Sequence, residues 1–195
     1  SDYDKGVCSP DIVAAAIRIA RQHAIPVLVD PGRGRDFDLY RHATLIKPNR
    51  TETEMFTDQK IRQSEDVIQA GTQMCQQLQL EMAVITLDAD GIALVHQHGR
   101  GQVFPTRARS VYDITGAGDM VLAVLGLAFA AKLEAEAAVT VANAAAGLEV
   151  DRTGVAALTR DEIRRELQSH QLNSRRKITD AEQLGRVCDE YRLRG

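Results

Sequence analysis

The sequence predicts an α/β fold, a three-layer and mostly parallel sheet with helices on both faces and an antiparallel edge. Two observations carry this. Short apolar runs, Pro26–Asp30, Thr44–Lys47 and Met82–Leu87, alternate with segments of helical period. Turn-rich stretches then separate two further short runs, the pattern of a hairpin at the sheet edge.

The elements follow in order. Ser9-Pro10-Asp11 reads as a helix start: the Ser hydroxyl accepts from orphan amides, Pro fits the first turn and Asp suits the positive end. Ile12, Val13, Ala16, Ile17 and Ala20 then recur at helical spacing. The strand Pro26–Asp30 ends in Asp30-Pro-Gly-Arg-Gly34, and Thr44–Lys47 is closed by Pro48. A short helix is predicted over Thr51–Phe56, and a longer one over 64–80 with Ser64 as its cap. Met82–Leu87 is the third strand, Asp88–Gly91 a turn, Ile92–Val95 the next strand, and His98–Gly101 another turn. Helices are expected over Ala117–Ala131, Leu133–Val150 and Thr159–His170.

Composition narrows the function. Of 195 residues, 44% are hydrophobic and 26% charged, with a net charge of −3. Such a chain is an ordinary globular protein whose field favours neither nucleic acid nor anionic membranes. No apolar run approaches the ~20 residues of a membrane span. Cys8, Cys75 and Cys188 are odd in number and widely spaced, which argues against a disulfide scaffold or zinc site and for a reducing cytoplasm. From Arg160 onward nine basic residues meet seven acidic ones, against fifteen and twenty before it. Gln171–Lys177 reads as a linker and Thr179–Leu193 as a helix with a Thr179/Glu182 capping box.

Two stretches carry chemistry. In Asp113-Ile-Thr-Gly-Ala-Gly-Asp-Met120, glycines at a helix start leave unpaired amides beside the positive end of the helix dipole. Gly116, Ala117 and Gly118 would let a phosphate approach, and Asp119 could take a proton from an attacking hydroxyl. Taken alone, the stretch equally suits a plain helix start. In Lys47-Pro-Asn-Arg-Thr-Glu52, the residues lie at the carboxyl edge of a parallel strand, where such sheets place ligands. Asn49 and Glu52 could hold magnesium-bound water and phosphate oxygens, or simply cap the next helix. Thr86 and Gly91 flank a strand end and a tight turn on the same edge. Arg33 and Arg35 could reach a sugar phosphate or be solvated loop. His96 and His98 lie two apart with no third ligand evident. No G-x-G-x-x-G follows the first strand, which makes a dinucleotide-binding dehydrogenase the least favoured reading.

With "ITLDADG" between them, "KPNRTE" and "DITGAGD" resemble the ribokinase-like (PfkB) carbohydrate kinases. The resemblance implies ATP and Mg²⁺ as cofactors, Asp119 as general base and Gly116, Ala117 and Gly118 as the anion hole. Asn49 and Glu52 become the Mg²⁺/phosphate pair, with Arg50 and Thr51 beside them. Lys47, Thr86 and Gly91 would line the nucleotide's phosphate and ribose side, and Asn143, Ala146 and Gly147 the adenine. More narrowly, "VDPGRGRDFDLYRHATLIKPNRTE" and "ANAAAGLEVDRTGVAALTRDEI" are similar to the kinase domain of bifunctional enzymes that phosphorylate heptose 7-phosphate and adenylylate heptose 1-phosphate.

That resemblance implies a cytoplasmic sugar-phosphate kinase, expected as a homodimer, with neither nucleic acid nor membrane as partner. It also implies that residues 1–170 are the C-terminal portion of the kinase domain, with the first strands and β lid preceding Ser1. Residues 171–195 would then lead to a nucleotidyltransferase domain beyond the chain. Asp88 departs from the small residue many relatives carry there. Other sugar or nucleoside kinases of the family, and a nucleotide-binding or dimerisation fragment without turnover, remain the alternatives.

Overall fold

The computed structural model describes residues 1–32, 34, 36–106, 116–150 and 157–169. Two compact units divide the chain, Ser1–Ala156 and Ala157–Gly195. The expected linker and helix over 171–195, with Cys188, lie outside the described residues, as do Arg33, Arg35 and Asp113–Thr115.

In the first unit the elements run α1 (Pro10–Gln22), β1 (Leu28–Val29), a 3-10 turn (Phe37–Tyr40), β2 (Leu45–Ile46), α2 (Arg50–Thr57), α3 (Ser64–Leu78) and β3 (Met82–Thr86). A second 3-10 turn (Asp88–Asp90), β4 (Ile92–His96), β5 (Gly101–Phe104), α4 (Ala117–Ala130) and α5 (Ala135–Val150) complete it. The sheet order is β1-β2-β3-β4-β5. β1, β2 and β3 pair in parallel, whereas β3–β4 and β4–β5 are antiparallel. The antiparallel edge is thus two strands wide.

The apolar runs are buried on both faces, as strands between two helical layers must be. Ile46, Ala83, Ile85, Ala93 and Val95 join one core cluster with Ile17 of α1 and Val67, Met74 and Leu78 of α3. Leu45, Val84 and Leu94 alternate to the other face and are also buried. α5 packs against β4 and β5, and against α4 along its length. Gly71 sets the closeness of α3 to the sheet: a Cβ there would stand 2.8 Å from Val95 Cγ2. Gly91 closes the β3–β4 connection at φ +104°, where a Cβ would collide with Phe104 O at 2.1 Å.

Several local expectations change. Ser9 precedes α1 in extended conformation but makes no side-chain cap bond. α3 begins one residue earlier in its capping logic, with Gln63 rather than Ser64 as N-cap, because Asp66 Oδ2 accepts the amides of Arg62 and Gln63. His96, at the end of β4, is half-buried and 4.0 Å from Glu136 Oε1, while His98 lies in the exposed turn. Burial pushes the Cys75 thiol up to about 12, which leaves it without chemistry at neutral pH. In the second unit a helix over 160–169 starts at a capping box, with the Thr159 amide donating to Glu162 Oε2 at 2.7 Å and the Glu162 amide to Thr159 Oγ1 at 3.3 Å.

Among the described residues no helix is long and apolar enough to cross a membrane.

Candidate active site

A cleft of about 980 Å³ opens over the carboxyl ends of the three parallel strands. Each strand delivers residues as it ends: Asp30 after β1, Lys47 and Asn49 after β2, Thr86 at the end of β3. Pro48 O accepts the Thr86 amide at 3.0 Å, and Asn49 bridges to Thr86 in parallel fashion, which extends the strand edge to the cleft floor.

α4 starts on the same cleft. Gly116 precedes it at φ +97°, the left-handed conformation glycine adopts freely, and the first amides of α4 have no helical partner. A Cβ at Gly118 would stand 3.3 Å from Lys47 Nζ. Glycine therefore lets the Lys47 ammonium come up to the helix start. Lys47 is buried and paired with Asp30, Nζ to Oδ1 at 3.1 Å. Positive helix end and ammonium together make a place for a phosphoryl group.

Asp119 stands in the first turn of α4. Its Oδ2 accepts the Tyr3 hydroxyl at 2.5 Å and its Oδ1 the Ser1 hydroxyl at 2.9 Å. The Tyr3 bond, helped by Ser1 and the Lys47 charge, holds the Asp119 carboxyl below its ordinary range. The same bond pushes the Tyr3 phenol up, so Tyr3 keeps its proton. Asp119 is accordingly a carboxylate at neutral pH, beside the helix start and exposed to the cleft.

The remaining expected residues divide by what their polar atoms already do. Asn49 Oδ1 accepts the Glu52 amide and Glu52 Oε2 the Asn49 amide, both at 2.8 Å. This is the capping-box alternative for the pair, yet both residues line the cleft, and among the described residues Glu52 Oε1 and Asn49 Nδ2 carry no hydrogen bond. Arg50 lines the cleft but spends its guanidinium on Ile61 O, Leu87 O, Asp88 and Asp90. It is a strut for the β3–β4 turn rather than an open phosphate ligand. Thr51 is exposed in the first turn of α2, at the rim. Asn143 donates to Phe104 O at 3.2 Å and Pro105 O at 3.1 Å and accepts from Thr106 at 2.9 Å, so its amide fastens the exit of β5. Gly91, Ala146 and Gly147 line the cleft, and a Cβ at Gly147 would meet nothing within 4 Å.

Three residues absent from the sequence-based set belong to the site: Ser1, Tyr3 and Asp30. The only signal for them was the alternation of an extended segment in Ser1-Asp-Tyr and the position of Asp30 at a strand end. Glu149, near the end of α5, was missed too. It is 3% exposed, and its Oε2 has no partner among the described residues. Burial, then the Asp119 charge, raises its carboxyl above the ordinary range.

A strand-edge cleft in which a glycine-led helix start, a lysine and a carboxylate converge is the site of an enzyme built for phosphoryl transfer. The chain belongs to the pfkB family of carbohydrate kinases, whose model matches residues 5–163. It is 37% identical over 195 residues to the bifunctional protein HldE of Syntrophotalea carbinolica and 40% over 196 to that of Hahella chejuensis. In both cases the match covers all of this chain and 40% of the relative, so the chain spans well under half their length. Among solved structures, Arabidopsis thaliana ribokinase complexed with ribose and ATP superposes with a TM-score of 0.74 at 24% identity, over 82% of this chain and 53% of that one. Phosphofructokinase-2 of Escherichia coli follows at 0.71 and 20%, over 84% and 53%. The fold is ribokinase-like.

The cleft fits what this family implies. An orphaned helix start with a lysine beside it suits a polyphosphate, and Glu52 Oε1 suits a magnesium ion reached through water. No cluster of three or more His, Cys, Asp or Glu able to hold a metal occurs among the described residues.

Proposed function

We propose that this chain is the ATP- and Mg²⁺-binding portion of a cytoplasmic kinase that phosphorylates the anomeric hydroxyl of D-glycero-β-D-manno-heptose 7-phosphate. The product is the 1,7-bisphosphate, on the route to ADP-heptose and the lipopolysaccharide core. The observation that carries the reading is the convergence of Asp119, the amides at the start of α4 and Lys47 on one cleft. The heptose assignment rests on the likeness to HldE proteins and the stretches quoted above.

Asp119 accepts the proton of the attacking hydroxyl, which is why a carboxylate held in its charged form matters. The acceptor oxygen bonds to the γ-phosphorus, and the bridging oxygen leaves with ADP. Gly118 and its neighbours donate amides to the transferring group, and Lys47 adds a fixed positive charge. When bound, magnesium would neutralise phosphate charge, and Asn49 and Glu52 would orient its water shell. Arg50 and Asn143 act indirectly, by holding the turns that wall the cleft.

The test is phosphorylation of a sugar panel by the full-length protein, with the product's phosphate position read by ³¹P NMR. Heptose 7-phosphate should give an anomeric phosphate at far higher kcat/KM than ribose, fructose 6-phosphate or nucleosides. Preference for one of those would reassign the substrate within the family, and absence of any transfer would leave a nucleotide-binding fragment.

A further inference from the structure

Both oxygens of Asp119 are occupied by hydroxyls of the chain itself. Asp2, between the two donors, is the anchor: its amide donates to Asp30 O at 2.9 Å, and its carboxylate accepts the Tyr40 hydroxyl at 2.7 Å and the Asp4 amide at 2.8 Å. Alternation along this extended segment turns Ser1 and Tyr3 to the same side, onto Asp119. The two donors differ in freedom. Ser1 is short and shared with Asp30 Oδ2 at 3.4 Å, whereas Tyr3 is 65% exposed and bound through its hydroxyl. A hydroxyl that is to lose its proton to Asp119 must sit within hydrogen-bond reach of one of its oxygens. Tyr3 already fills that place.

We propose that Tyr3 is a displaceable cap on the catalytic base. Without acceptor, its hydroxyl stands where the attacking hydroxyl must stand and keeps water from being deprotonated there; the acceptor hydroxyl displaces it by rotation of the exposed side chain. The proposal rests on Asp119 as the base. What the cap prevents is hydrolysis: water oxygen bonding to the γ-phosphorus, its proton passing to Asp119, and the bridging oxygen leaving with ADP.

The experiment is Tyr3→Phe in the full-length protein, with two readouts. Sugar-independent ADP release from Mg-ATP should rise, and calorimetric affinity for heptose 7-phosphate without nucleotide should tighten. Each change should be roughly three- to tenfold, the worth of one hydrogen bond to a charged group discounted for exposure. If either readout stays at its wild-type value, the cap is overturned. Asp119→Asn separates the two levels: hydrolysis and transfer should both fall by roughly 10²- to 10⁴-fold. If they persist, the base assignment fails; if they fall while Tyr3→Phe is inert, only the cap fails.

Discussion

Lys47 and Asp30 form an ion pair of 3.1 Å across the carboxyl ends of two adjacent parallel strands, and the same ammonium faces Gly118 at the start of α4. One cation therefore joins the strand edge to the helix start. The pair is nearly closed to solvent, with side chains 5% and 19% exposed.

Lys47→Met is expected to cost about 3 kcal/mol of stability, because it leaves Asp30 charged and largely buried without its cation, with only the long Ser1 hydroxyl contact of 3.4 Å remaining. Lys47→Met combined with Asp30→Asn should recover most of that loss in urea unfolding. It should not recover kinase turnover, since the charge beside the helix start is gone. A double variant with both stability and turnover restored would confine Lys47 to a structural role.

Asp119→Asn should lower turnover by roughly 10²- to 10⁴-fold, the usual worth of a positioned base, while Mg-ATP affinity is retained. The Tyr3 bond depresses the Asp119 carboxyl, so in the unliganded protein it should titrate below its ordinary 3.8. Carbon-13 NMR of the carboxyl reads this directly. The sign is fixed by the donor: removing the Tyr3 hydroxyl moves the titration up. A value at or above 3.8 in the wild type would contradict the geometry.

Glu149 predicts a pH dependence of the opposite sense. Its carboxyl is raised from 4.5 by burial and by Asp119, so the folded chain holds this proton more tightly than the unfolded chain. That contribution is present below pH 4.5 and fades as pH rises through the raised value. Glu149→Gln should remove this slope from a stability-versus-pH curve. Glu149→Leu should add about 1–2 kcal/mol at neutral pH by removing a buried carboxylate oxygen that has no partner among the described residues. Loss of stability in the leucine variant would show that the carboxyl is satisfied.

The order of helices and strands, the sheet's carboxyl edge and the hairpin were legible in the sequence. Each follows from local period and turn chemistry, as in Met82–Thr86, which alternates between two buried faces. Gly116, Gly118 and Asp119 were legible for the same reason: a helix start is a local object. What Asn49, Arg50 and Asn143 do was not, because their types suit ligand and protein partners equally, and only the fold supplies Glu52, Asp88, Asp90 and Phe104 O at bonding distance. Ser1 and Tyr3 were invisible, since they reach Asp119 across more than a hundred residues of chain. Sequence by itself determined which glycines begin α4 and which carboxylate stands beside them. Tertiary structure alone decided which polar atoms remain free for a ligand, because a hydrogen bond made within the protein is a capacity the ligand must displace.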